Sequence, residues 1–94
     1  GNRRDASPRT RRYHDFSEIE LESRDEAYLV IDRLGDLIEE YGLATVADLY
    51  DLCGITTEYT DENWGWTSAR YMSVIRSRHG YMLQLPKPDH INAR

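Results

Sequence analysis

Between Ser23 and Gly42 the apolar residues Ala27, Val30, Ile31, Leu34, Leu37, Ile38 and Tyr41 recur at three- and four-residue intervals. That spacing predicts one α-helix of about five turns with a single apolar stripe. A helix of this kind needs another layer to cover the stripe, which rules out an extended or purely disordered chain. Ser23 is placed to cap it, with Glu26 three positions on as the second half of a capping box. Gly42 stops it at the C′ position. Gly35, inside the stripe, costs about 1 kcal/mol relative to Ala and suggests a close helix contact there.

The covering layer has to come from shorter elements. Residues 16–23 run F-S-E-I-E-L-E-S, with Ile19 and Leu21 on one side and Glu18, Glu20 and Glu22 on the other. That alternation predicts a short, half-buried edge strand. Thr45 caps a second helix that ends at Gly54, offering Val46, Leu49, Tyr50, Leu52 and Cys53 for burial. Residues 55–69 read either as an ordered loop or as a short third helix over Trp64–Ala69, capped by Thr60 or Asp61. Met72–Arg76 and Tyr81–Leu85 predict a β-hairpin turning at His79-Gly80, where Gly80 would supply positive φ. Pro86 and Pro88 then end the ladder.

The expected architecture is α+β: strand, helix, helix, short helix or loop, and hairpin. The strands would form a three-stranded antiparallel sheet on the helical pair. The expected core is Ile19, Leu21, Val30, Ile31, Leu34, Leu37, Ile38, Val46, Leu49, Leu52, Val74, Leu83 and Leu85. With 94 residues, 39% of them hydrophobic, one small domain is the limit. It is placed at residues 15–88, with a disordered basic arm at 1–14 and a tail at 89–94. Gly1, and Asn2 with it, read as a cleavage scar or truncated start. No apolar run is long enough to span a bilayer and no signal-peptide core is present. The single Cys53 fits a reducing, cytoplasmic setting.

Charge is sorted into blocks. Residues 1–14 carry a net +4, residues 15–62 a net −13 and residues 63–94 a net +4. The basic ends suggest contact with phosphate, through Arg9, Arg11 and Arg12 in the arm and Arg70, Arg76, Arg78 and His79 around the hairpin. The same hairpin residues also fit a solvated strand face, and the arm equally suits an acidic protein. Trp64 and Trp66, flanking Gly65, are either core anchors or an exposed partner-binding pair.

The enzyme classes find no support in the sequence. His14, His79 and His90 have no metal-ligand spacing with one another or with Cys53, so neither a metal nor a cofactor is expected. No phosphate-binding glycine loop, nucleophile elbow or dinucleotide fingerprint occurs. The acidic pairs lie on the outward faces of amphipathic elements, where solvation accounts for them.

Two resemblances add to this. The order helix–turn–helix, possible third helix and hairpin, with Ile75-Arg76-Ser77-Arg78-His79-Gly80-Tyr81-Met82-Leu83 as a basic strand turning into an aromatic-led one, resembles a winged-helix domain. More closely, E-I-E-L-E-S-R-D-E-A, T-V-A-D-L-Y-D-L-C-G, T-D-E-N-W-G-W-T and H-G-Y-M-L-Q-L-P-K-P make residues 16–88 similar to a small uncharacterised protein of phages and other mobile elements of Gram-positive bacteria. That resemblance implies a setting in the cytoplasm of an infected cell or in the virion, and no activity. The expected function is therefore a non-catalytic phage accessory protein contacting nucleic acid. The alternative is a protein–protein module, a virion component or an inhibitor of a host factor, that uses the acidic face and Trp64/Trp66. A monomer with weak, salt-sensitive self-association is expected, and no membrane contact.

Overall fold

The computed structural model describes residues 19–91. In chain order the elements are β1 (Glu20–Leu21), α1 (Arg24–Tyr41), β2 (Ala44–Thr45), α2 (Val46–Leu52), a 3-10 helix (Tyr59–Asn63), β3 (Trp64–Trp66), β4 (Ser73–Arg76), β5 (Tyr81–Gln84) and β6 (Asp89–His90). They form two antiparallel sheets, β1-β5-β4 and β2-β3-β6. The first is the three-stranded sheet that the sequence predicts, with β1 at its edge.

The long helix is built as its ends dictate. Ser23 is extended and its hydroxyl accepts the Glu26 N–H at 3.0 Å, as a cap should. The Glu26 carboxylate reaches one residue further back than a capping box requires and accepts from the Glu22 N–H at 3.3 Å. Gly42 takes φ +87°, and its N–H donates to the Ile38 carbonyl at 2.8 Å. At about 1.5 Å per residue the helix outruns the four-residue strands β4 and β5. It therefore serves both sheets, packing on β4 and β5 and also on β2 and α2.

Thr45 and Asp48 form a complete capping box for α2, at 3.0 and 2.9 Å. The helix leaves through a Schellman motif. Gly54, at φ +75°, donates to Asp51, and Ile55 donates to Tyr50.

The core gathers Ile19, Ala27, Val30, Leu34, Ala44, Val46, Leu49, Tyr50, Trp66, Met72 and Leu83. Leu21, Ile31, Leu37, Ile38, Val74 and Leu85 pack around it half-buried. Two expected members are exposed. Leu52 lies about a third of a turn away from the face shared by Val46, Leu49 and Tyr50, and is 39% exposed. Tyr41 keeps the helical stripe but lies past the covering strands, 68% exposed.

The stretch 55–69 corrects the sequence expectation. Helical turns occupy Tyr59–Asn63, and Trp64–Trp66 is extended as β3 rather than helical. Asp61, 2% exposed, accepts the Glu58 N–H at 2.9 Å, which fixes the turn from within rather than capping a helix after it. No third α-helix occurs among the described residues, at the position where a winged-helix domain has one. The second correction is at the C-terminal side. Asp89 and His90, expected in a tail, pair with Gly65 and Trp64 as β6. The Ile91 N–H donates to the Asn63 carbonyl at 2.6 Å. Pro86 and Pro88 lack an N–H but do not prevent a strand from starting after them.

Gly35 faces Ala69 rather than a second helix. A Cβ there would sit 4.0 Å from the Ala69 Cβ, an ordinary van der Waals contact. Gly35→Ala should therefore stabilise the fold by about 0.5–1 kcal/mol, read as a rise in urea midpoint.

Cys53 is half-buried beside the core, and burial pushes its thiol from 9.0 up to about 11. Between those values the unfolded chain loses the proton and the folded chain keeps it, so stability falls as pH rises through this window. After allowance for partial exposure the loss should be about 1–2 kcal/mol. In urea titrations across this range Cys53→Ala should show a smaller alkaline loss than the parent.

Candidate functional site

The hairpin places the basic residues. Arg76 ends β4 directly opposite Tyr81 of β5, and its guanidinium lies over the Tyr81 ring at 5.7 Å from the centroid. With a period of two, Val74 and Arg76 share the sheet face that packs on α1. Arg24, in the first turn of α1, and Tyr28, four residues on, meet that face from the helix side. Together Arg24, Tyr28, Val74, Arg76 and Tyr81 line an open cleft of about 290 Å³.

Beyond the cleft the chain reverses through Ser77–Gly80. The Ser77 N–H donates to the Gly80 carbonyl at 2.8 Å, and the Ser77 hydroxyl accepts the Gly80 N–H at 3.1 Å. The same hydroxyl donates to the Glu20 carboxylate at 2.6 Å, tying the turn to β1. Arg78 and His79 are thus held out, both exposed, on a turn braced from two sides. Gly80 is needed for space and not for positive φ. A Cβ there would collide with the Leu21 carbonyl oxygen of β1, and its φ lies outside the left-handed region.

Of the residues expected to contact phosphate, the structure brings Arg76, Arg78 and His79 to one end of the hairpin. Arg70 is not with them. It lies in the turn before β4, exposed, with its guanidinium 6.0 Å from the Tyr71 ring centroid. Arg9, Arg11 and Arg12 fall outside the described residues. Arg24, Tyr28 and Tyr81 were not singled out by the sequence. The signal that could have found them is the i,i+4 pair Arg24–Tyr28 together with the hairpin register that sets Arg76 against Tyr81.

The tryptophans divide. Trp66 is 3% exposed and donates its indole N–H to the Pro86 carbonyl at 2.7 Å, so it is a core anchor and is not available to a partner. Trp64 is half-buried and meets the His90 ring edge-on, with centroids 4.9 Å apart.

At the other end of α1 lies a larger cleft of about 510 Å³, where Leu37, Tyr41 and Leu43 are ringed by Asp48, Asp51 and Glu62. The last turn of α1 carries no basic residue, so the negative end of the helix dipole adds to these acids. The helix thus runs from a basic, aromatic cleft to an acidic one.

Among the described residues no three His, Cys, Asp or Glu side chains are placed to hold a metal ion. No helix there is long and apolar enough to cross a membrane. No protein-family model matches the chain, and no curated protein or solved structure matches it.

Proposed function

We propose that this chain is a non-catalytic accessory protein of a phage or other mobile element that contacts nucleic acid through the tip of its hairpin, in an infected cell's cytoplasm or in the virion. The observation that carries the nucleic-acid contact is the braced turn. It holds Arg78 and His79 exposed, beyond a cleft that already contains Arg24 and Arg76. Guanidinium groups in a fixed frame suit phosphate oxygens, because charge-assisted bonds to them are strong and directional. Arg9, Arg11 and Arg12 would extend the contact along the backbone. The phage setting is supported by the sequence resemblance alone.

Binding of this kind is driven by counterion release, so the logarithm of affinity falls linearly with the logarithm of salt concentration. Fluorescence anisotropy with labelled oligonucleotides should show that slope. Replacing Arg76 and Arg78 together by Ala should make it shallower by about 1.5, the share of two phosphate contacts. Both side chains are exposed, so the variant should keep its fold. Affinity that ignores salt, or no binding at low ionic strength, would count decisively against the proposal.

A second reading, a protein–protein module, is favoured by the acidic cleft. Its apolar floor and three carboxylates suit a basic segment of a phage or host protein. Binding of an arginine-rich peptide that is lost on replacing Asp51 by Asn and Glu62 by Gln would move the balance toward it.

A further inference from the structure

The basic cleft has a size and a lining that narrow the ligand, on the premise that the hairpin end does contact nucleic acid. Small-molecule sites generally enclose about 300–1,000 Å³. At about 290 Å³ and open to solvent, this cleft is too small to enclose a free metabolite, yet it has room for one flat group. Its walls supply two guanidinium groups and two phenol rings. Arg76 is already layered on Tyr81, so a base entering here would continue that stack, with Tyr28 on the helix side.

The surroundings exclude a broad phosphate surface. Glu20, Glu22, Asp25 and Glu26 are all exposed on β1 and the start of α1, around the same end of the molecule. A duplex carries one charge per about 1.7 Å of axis on two rails, and one rail would run over these acids. A single strand threading from the hairpin tip into the cleft avoids them. We infer that the cleft accepts one base of a single-stranded nucleic acid, between Tyr28 and the Arg76–Tyr81 pair, with the adjoining phosphates on Arg24 and Arg78.

The test compares four probes at one salt concentration by anisotropy: a short oligothymidylate, an oligouridylate of equal length, the corresponding DNA duplex, and an abasic strand with the same phosphates. Single strands should bind roughly tenfold more tightly than the duplex, and removing the bases should cost a similar factor, the scale of one stacked base. The two single-stranded arms show whether the sugar matters. Tyr81 packs against the core, so the variant chosen is Tyr28, which is 46% exposed. Tyr28→Leu should lose about tenfold on base-bearing strands and nothing on the abasic one, while Tyr28→Phe should retain affinity. Equal binding of duplex and single strand, or of abasic and base-bearing strands, overturns this inference and leaves the nucleic-acid contact standing. Absence of salt-dependent binding to every probe overturns both.

Discussion

Gly65→Ala is expected to cost about 3 kcal/mol or more, the largest effect of any methyl-sized change in this protein. Gly65 is the middle residue of β3, paired with Thr45 on one side and with Asp89 on the other. A Cβ there would run into the Ala44 carbonyl oxygen, lie 2.8 Å from the Thr45 Cα and 2.6 Å from the Ile91 methyl. The Ile91 side chain can rotate away, but the two backbone atoms can yield only by separating β2 from β3. In a domain of this size each kcal/mol shifts the thermal midpoint by about 4–8 °C. Melting followed by circular dichroism should therefore drop by roughly 12 °C or more. A change within 2 °C or so would mean that β2 and β3 are not packed as described. Gly35→Ala makes the matching control, since the same added methyl there should move stability in the opposite direction.

Leu34→Ala and Leu49→Ala should each cost about 2–5 kcal/mol, from lost burial plus the hole left behind. Both side chains are fully buried, one on each helix. Leu34 comes from the helix that serves both sheets, so its loss should loosen the sheets together. Leu49 anchors α2. Small single domains seldom hold more than about 5 kcal/mol, so either variant should be largely unfolded near 37 °C. Urea titration settles the matter, and retention of a parent-like midpoint by either variant would remove that side chain from the core.

What the sequence made legible follows from the range of the interactions involved. Ser23, Gly42, Thr45 and Gly54 act within one turn of chain, so the bounds of both helices could be read from them. The edge strand and the hairpin could also be read, because Ile19/Leu21 and Tyr81/Leu83 alternate in plain view. The second sheet could not. Its strands are two, three and two residues long, too short for any period to show. They are joined by pairings between distant segments that only the folded chain reveals.

The candidate site divided in the same way. Arg76, Arg78 and His79 stood out because they cluster in sequence. Arg24 did not, since it is an isolated cation within the most acidic block. Tyr28 lies off the apolar stripe and had no assigned partner. Their place in the cleft depends on how α1 crosses the hairpin, which local pattern does not encode. Trp66 was open to two readings because a W-G-W triplet serves equally well at a surface or in a core. Its carbonyl partner on Pro86 lies twenty residues away.

The closing strand of the second sheet also sets an order of events during synthesis. β6 follows every other element in the chain, so β3 waits for its outer partner until Asp89 and His90 have been made. Until then one side of the Trp64–Trp66 backbone presents unsatisfied hydrogen-bonding groups to any strand nearby. A nascent or proteolysed chain ending before Asp89 would keep that edge permanently open. Such products should be disproportionately prone to aggregation, so quality control of this small protein depends on its last few ordered residues.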